Sequence, residues 1–330
     1  MTKAPIVEAR SLSVSVPCRS SLPFVKSPEL RILADVSLAI RAGEIVCMVG
    51  ESGSGKSTFG RTLVGLMKPS GGALLLDGEK LPDFSNRSFG KMRQTASLLF
   101  QDPVTSFDPR QRIRSIIAEP RRIAGQGDLK PEAVIDLAQQ AGLSRQLLSR
   151  FPHGLSGGQA RRAAVARALS VVPRLIIADE PTAGLDLSVQ GGILNLFLDI
   201  RDTHQAAFLI ITHNLAVARH VSDRVAIMYL GRILETGPTT EIFRAPRHPY
   251  TAALLASEPV PDPTKRRTVP PVIGEVPSLA NRPSGCEFHP RCPLAEVRCR
   301  SERPAETQLA QGHSLRCHHP LPAKKAEQVA

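Results

Sequence analysis

"EIVCMVGESGSGKST", residues 44 to 58, passes from an apolar run into glycine and serine and then into a helical pattern. The run reads as a buried strand followed by a loop. Gly50 to Ser57 fits G-x-x-x-x-G-K-[ST], the phosphate-cradling loop between a strand and a helix. Gly50, Gly53 and Gly55, with Glu51, Ser52 and Ser54 between them, allow successive backbone N–H groups to turn inward on phosphates. The helix start that follows, Lys56, Ser57 and Thr58, adds partial positive charge. Lys56 is suited to neutralise terminal phosphates, and the Ser57 hydroxyl to take a Mg²⁺ position.

Working outward, "RLIIADEP" is a second apolar strand, ending in Asp179 and Glu180. Asp179 is suited to hold Mg²⁺ directly or through water, and Glu180 to polarise an attacking water. "AAFLIIT" is a third strand, and "QARRAAVARALSVV" and "VQGGILNLFLDIRD" read as helices. Strands alternating with helices predict an α/β fold, a mainly parallel sheet covered on both faces. "SLSVSV" and "GALLLDG" predict an additional antiparallel portion, with "CRSSLPFVKSPEL" between them as an exposed loop. "LSGGQ" puts Ser156, Gly157, Gly158 and Gln159 at the opening of a helix, a second anion site of the same physical kind.

These motifs together resemble the ATP-binding cassette (ABC) ATPases. The match comprises the P-loop, Gln101 in "LLFQD", LSGGQ, Asp179–Glu180, Asp186 in "GLD" and His213 in "ITHN", in matching order over about 240 residues. The resemblance implies a P-loop ATPase domain with a helical subdomain. It implies ATP held between Gly50–Ser57 (with Thr58) of one subunit and Ser156–Gln159 of the facing one. By position Glu180 is the base, His213 senses the γ-phosphate, Gln101 contacts Mg²⁺ and water, and Asp186 couples the two sites. Relatives commonly stack an aromatic on adenine from the first strand, where Val16 stands here. Stacking is worth roughly 1–3 kcal/mol, so affinity or base selectivity is expected to be weak unless Phe24 substitutes.

Two finer features narrow the resemblance. "LLFQDPVTSFDPR" and "RHPYTAALL", with the ending "PSGCEFHPRCPLAEVRC…RCHHPL", resemble the ATPases of oligopeptide, dipeptide and nickel importers. The implied partners are two integral-membrane permease subunits, a second ATPase subunit, identical or not, and indirectly an extracytoplasmic solute-binding protein. The implied location is peripheral, on the cytoplasmic face of the cell membrane. A soluble single-cassette ABC ATPase is the alternative. Translation types carry two cassettes, and repair types insert long coiled coils that the roughly 100 residues between Lys56 and Ser156 cannot hold. A non-hydrolysing regulator is disfavoured by Glu180 and His213.

Bulk properties fit this reading. The chain has 330 residues, 42% hydrophobic, with no run near the roughly 18 apolar residues of a membrane helix and no apolar signal region in "MTKAPIVEAR". A cytosolic setting follows, where disulfides are disfavoured. The formal net charge of +12 permits a solvated basic surface or contact with membrane or nucleic acid. Nucleic acid is not expected, because aromatics are only 4% of the chain and stacking platforms are scarce.

Twelve of the 28 prolines fall after residue 255. This divides the chain into a nucleotide-binding domain, 1–255, with a helical subdomain at about 88–168, and a C-terminal extension, 256–330. "EPVPDPTKRRTVPP" is a linker by composition. So short and proline-rich a segment needs a staple, and Cys286, Cys292, Cys299 and Cys317 offer one. Their separations of five, six and seventeen residues are looser than the C-x₂-C pairs of zinc ribbons. They also suit an iron–sulfur cluster, so spacing leaves 4Fe–4S, Zn²⁺ and free thiols open. The importer resemblance implies 4Fe–4S. His289, His318 and His319 are expected in solvent or beside the ligands rather than among them. Cys47 is expected to be a small buried hydrophobe, and Cys18 has no evident partner.

Overall fold

A computed structural model describes residues 4–17, 29–258, 274–310 and 312–323. Cys18, Phe24 and most of the proline-rich linker lie outside the described residues. Among the described residues, twelve strands form two sheets. A four-stranded antiparallel sheet contains β1 (Pro5–Pro17), β2 (Glu29–Arg41), β4 (Gly71–Leu76) and β5 (Glu79–Lys80), in the order β2-β1-β4-β5. The larger sheet contains β3 (Ile45–Val49), β6 (Ala96–Leu99), β7 (Leu175–Asp179), β8 (Ala207–Thr212), β9 (Arg224–Tyr229) and β10 (Arg232–Pro238). It is completed by β11 (Thr307–Ala310) and β12 (His313–Leu315), in the order β11-β12-β10-β9-β3-β8-β7-β6.

The central strands are parallel: β3 with β8 and β9, β8 with β7, and β7 with β6. Side chains alternate between faces of a strand, and here each face meets its own core. Val46 and Met48 of β3 join the core beneath the antiparallel sheet, with Phe59, Leu209 and Ile211. Ile45, Cys47 and Val49 join the core on the other face, with Phe197, Phe208 and Ile210. Burial on both faces is why these strands read as continuous apolar runs. Cys47 is fully buried and its thiol is pushed up to about 12 by desolvation, as befits a small hydrophobe.

A helical lobe packs the helices Ile113–Ile123 and Pro131–Gln140 on the helix Gly157–Leu169. Within the 88–168 bounds expected for a helical subdomain, Ala96–Leu99 is strand β6 of the main sheet.

The C-terminal segment is knitted into the cassette. β12 pairs with β10 (Glu235 opposite Leu315), so the tail extends the main sheet. Fully buried Glu235 accepts from the backbone N–H groups of Arg247 (2.8 Å) and His248 (3.0 Å), and from His313 Nε2 (2.8 Å). These bonds hold its carboxyl below the usual range despite burial, which acts to raise it. Arg316 Nη1 donates to Asp35 Oδ2 at 2.6 Å, tying the tail to β2.

Candidate active site

Parallel strands deliver the residues that follow them to one edge of a sheet, where open α/β folds bind ligands. Here that edge collects Gly50 after β3, Gln101 after β6, Glu180 after β7 and His213 after β8.

The loop at Gly50 needs its glycines. A Cβ on Gly50 would lie 2.1 Å from the Met228 carbonyl oxygen. Gly55 has φ 102° at the start of the helix Lys56–Leu63, a conformation that L side chains rarely adopt. Ser52 and Gly53 form the exposed tip, and Ser54 is buried. Lys56 is 6% exposed, its Nζ donating to the Gly50 carbonyl (2.7 Å), the Glu51 carbonyl (2.9 Å) and Ser54 Oγ (3.3 Å). Burial lowers its pKa, against the opposing pull of Glu180, Asp179 and Glu51.

Ser57 Oγ donates to Asp179 Oδ1 at 2.8 Å. Asp179 is 4% exposed, and burial raises its pKa, with the Ser57 bond working the other way. A hydroxyl and a nearly buried carboxylate side by side next to a phosphate loop form the oxygen donor set that Mg²⁺ takes.

Glu180 has φ 48°, left-handed for a non-glycine residue, at a cost on the order of 1–3 kcal/mol. The conformation is held by its N–H on the Ile211 carbonyl (2.8 Å) and by Arg161 Nη1 on its own carbonyl (3.3 Å). Its Oε1 lies 2.8 Å from His213 Nδ1. With Nδ1–H donating to the carboxylate, Nε2 of the largely exposed imidazole is left free to face a ligand.

The structure thus brings Lys56, Ser57, Asp179, Glu180 and His213 together. Gln101 is exposed, and its carbonyl accepts from Arg161 Nη1 at 3.1 Å. Ser156 closes a capping box with Gln159 (Gln159 N–H to Ser156 Oγ 3.3 Å, Ser156 N–H to Gln159 Oε1 3.0 Å), while Ser156 and Gly157 stay exposed. Asp186 caps the helix Leu187–His204 through the Val189 N–H at 2.9 Å. Neither Ser156–Gln159 nor Asp186 hydrogen-bonds to the P-loop. Thr58 is part of the helix Lys56–Leu63, and Val16 is half-buried opposite Leu30.

Arg161 was not foreseen from the sequence. It lies two residues beyond LSGGQ and ties the backbones of Gln101 and Glu180 to the helical lobe.

At the tail, the cysteine thiols stand within electrostatic reach of one another: Cys286 with Cys292 and Cys317, and Cys299 with Cys292 and Cys317. Backbone N–H groups two residues on, at Phe288, Leu294 and His319, donate to the sulfurs of Cys286, Cys292 and Cys317. Cys286 N–H donates to the Cys299 carbonyl at 2.9 Å, and a Cβ on Gly285 would sit 2.4 Å from that oxygen. All four thiols are free. Burial pushes Cys286 up to about 12 and Cys317 up to about 11. Among the described residues, no group of three or more His, Cys, Asp or Glu side chains is disposed to hold a single metal ion. The histidines face other partners: His289 Nδ1 the Cys286 carbonyl (2.9 Å), His318 the Glu302 carbonyl (3.0 Å), and His319 the Glu296 carboxylate (3.1 Å).

Sheet, phosphate loop and acid–histidine pair define an ATPase cassette. Residues 33–183 match the model of the ABC transporter family, and residues 234–299 match that of the oligopeptide/dipeptide transporter C-terminal region. A probable peptide ABC transporter ATP-binding protein of Sinorhizobium fredii is 42% identical over 97% of this chain and 92% of its own length. The oligopeptide transport ATP-binding protein AppF of Bacillus subtilis is 40% identical over 95% and 97%. Among solved structures, a dimeric ATP-binding cassette in a post-hydrolysis state with ADP and phosphate superposes with a TM-score of 0.63. It is 26% identical and covers 71% of this chain and 98% of its own. The chain belongs to the ABC transporter ATP-binding proteins of the oligopeptide/dipeptide type.

Proposed function

We propose that this chain is the ATP-hydrolysing subunit of an importer for peptides or a peptide-like solute, working peripherally at the cytoplasmic face of the membrane. The observation that carries the reading is the Glu180–His213 pair beside Ser57–Asp179, in a chain whose tail matches the oligopeptide/dipeptide transporter region. Two permease subunits receive the work, and a solute-binding protein outside the membrane delivers cargo to them. No helix among the described residues is long and apolar enough to cross a membrane, in keeping with a separate permease.

ATP lies on Gly50–Ser57 and Thr58, with Lys56 turning from the loop carbonyls to the terminal phosphates. Ser57 and Asp179 would hold Mg²⁺, with Gln101 as a further ligand from the end of β6; the ion would supply charge neutralisation at the phosphate oxygens. Glu180 accepts the proton of the attacking water. His213 fixes that carboxylate through Nδ1 and presents Nε2 to the γ-phosphate. A second ATPase subunit supplies Ser156–Gln159 from across the interface, which suits the exposure of Ser156 and Gly157 here, and Asp186 links the two sites. Purified chain should release phosphate from MgATP, faster when assembled with its permeases. No hydrolysis in either state would refute the assignment.

The four thiols are proposed to hold a 4Fe–4S cluster. Each thiolate of such a cluster binds its own iron, so the donors stand wider apart than the roughly 2.3 Å radius of a tetrahedral zinc site allows. Four thiols within electrostatic reach of one another, with backbone N–H groups donating to three of the sulfurs, suit that group. Anaerobic purification should yield about four irons and four acid-labile sulfides per chain, lost on Cys→Ser change at any of the four positions. Zinc alone, or no metal in fresh protein, would contradict the cluster.

A further inference from the structure

We infer that Arg291, in the cysteine-bearing tail, is a positioning residue for the ATP site. The inference rests on the P-loop reading above. Arg291 follows the short turn from Cys286 and precedes Cys292. Its side chain is 6% exposed, and its guanidinium makes a two-pronged ion pair with Glu51, the second residue of the P-loop (Nη1 to Oε2 2.7 Å, Nη2 to Oε1 3.0 Å). Glu51 is the one carboxylate ion-paired with Arg291 among the described residues. The fork geometry fixes direction as well as distance.

The rest of Glu51 is held too. Its N–H donates to Tyr250 Oη at 3.1 Å, and its carbonyl accepts from Lys56 Nζ at 2.9 Å. Tyr250 packs on Tyr229 and Phe288, with ring centroids 4.8 and 5.2 Å away, and the Arg291 guanidinium lies 5.8 Å from the Tyr229 ring centre. Phe288 lies two residues after Cys286, so the same short segment carries two thiols, the ring that backs Tyr250 and the cation that grips Glu51. A fully buried aromatic wedge has little freedom to shift. The tail therefore sets where the first carbonyls of the phosphate loop lie, and through them where Lys56 is held before ATP arrives.

The test is steady-state hydrolysis of MgATP by the full chain carrying Glu51→Gln, Arg291→Met, both together, or Arg291→Lys. Lys56→Ala is run in parallel for MgATP binding. Each single change should raise KM for ATP by roughly 5- to 50-fold, with kcat altered far less. The double variant should be no worse than the worse single, because the two residues act as one pair. Arg291→Lys, keeping charge but losing the fork, should fall between. Glu51→Gln leaves every tail residue in place, so the pair is broken there even if Arg291→Met unfolds the tail. Wild-type KM in Glu51→Gln, or additive effects in the double variant, would overturn the inference. If that happened while Lys56→Ala lost ATP binding, the P-loop reading would stand and this inference alone would fall. Undiminished ATP binding by Lys56→Ala would remove both.

Discussion

Glu180→Gln should still bind MgATP with near-normal affinity but turn it over roughly 10²- to 10⁴-fold more slowly, the usual contribution of a positioned general base. The substitution keeps shape and removes the proton acceptor. Glutamine can hold the left-handed backbone as well as glutamate does, since both restraints act on the residue's backbone and not on its carboxylate: its N–H on the Ile211 carbonyl, and the Arg161 guanidinium on its own carbonyl. The contact to His213 Nδ1 can persist as a neutral hydrogen bond, so histidine placement is largely retained. The variant therefore separates proton transfer from geometry. Single-turnover hydrolysis alongside equilibrium binding is the check, and near-normal turnover would overturn the assignment of the base.

Lys56→Ala should act on binding itself. Hydrogen bonds to a charged group are worth about 1.5–3 kcal/mol, so losing them at the terminal phosphates should weaken MgATP binding by on the order of 10²-fold. The loop also suffers, because the Gly50 and Glu51 carbonyls and Ser54 Oγ all lose a partner. Titration of the variant with MgATP measures this directly, and unaltered affinity would count against phosphate binding at Gly50–Ser57.

The parts of the site that could be read from sequence are those where strand, turn and chemical group are contiguous. "EIVCMVGESGSGKST", "RLIIADEP" and "AAFLIITHN" each carry a buried run and the functional residue at its end, and parallel pairing then gathers those ends. Cys47 was legible for the same reason, as one position in a two-faced strand. The Glu51–Arg291 pair spans 240 residues, and neither partner's neighbours announce the other. Strand β12 has three residues and β11 four. Such runs are too short to show periodicity, and they form only because β10 offers an open edge. Arg161 lies in the helix of "QARRAAVARALSVV" directly beside Arg162, and only its three-dimensional neighbours distinguish the two.

The central claim is that hydrolysis at this site drives solute entry. The most direct measurement is uptake of a labelled di- and tripeptide panel by cells lacking this chain, complemented with the native protein or with Glu180→Gln. Uptake restored by the native chain and not by the variant is the predicted result. Equal uptake by uncomplemented cells, or full rescue by Glu180→Gln, would contradict the account.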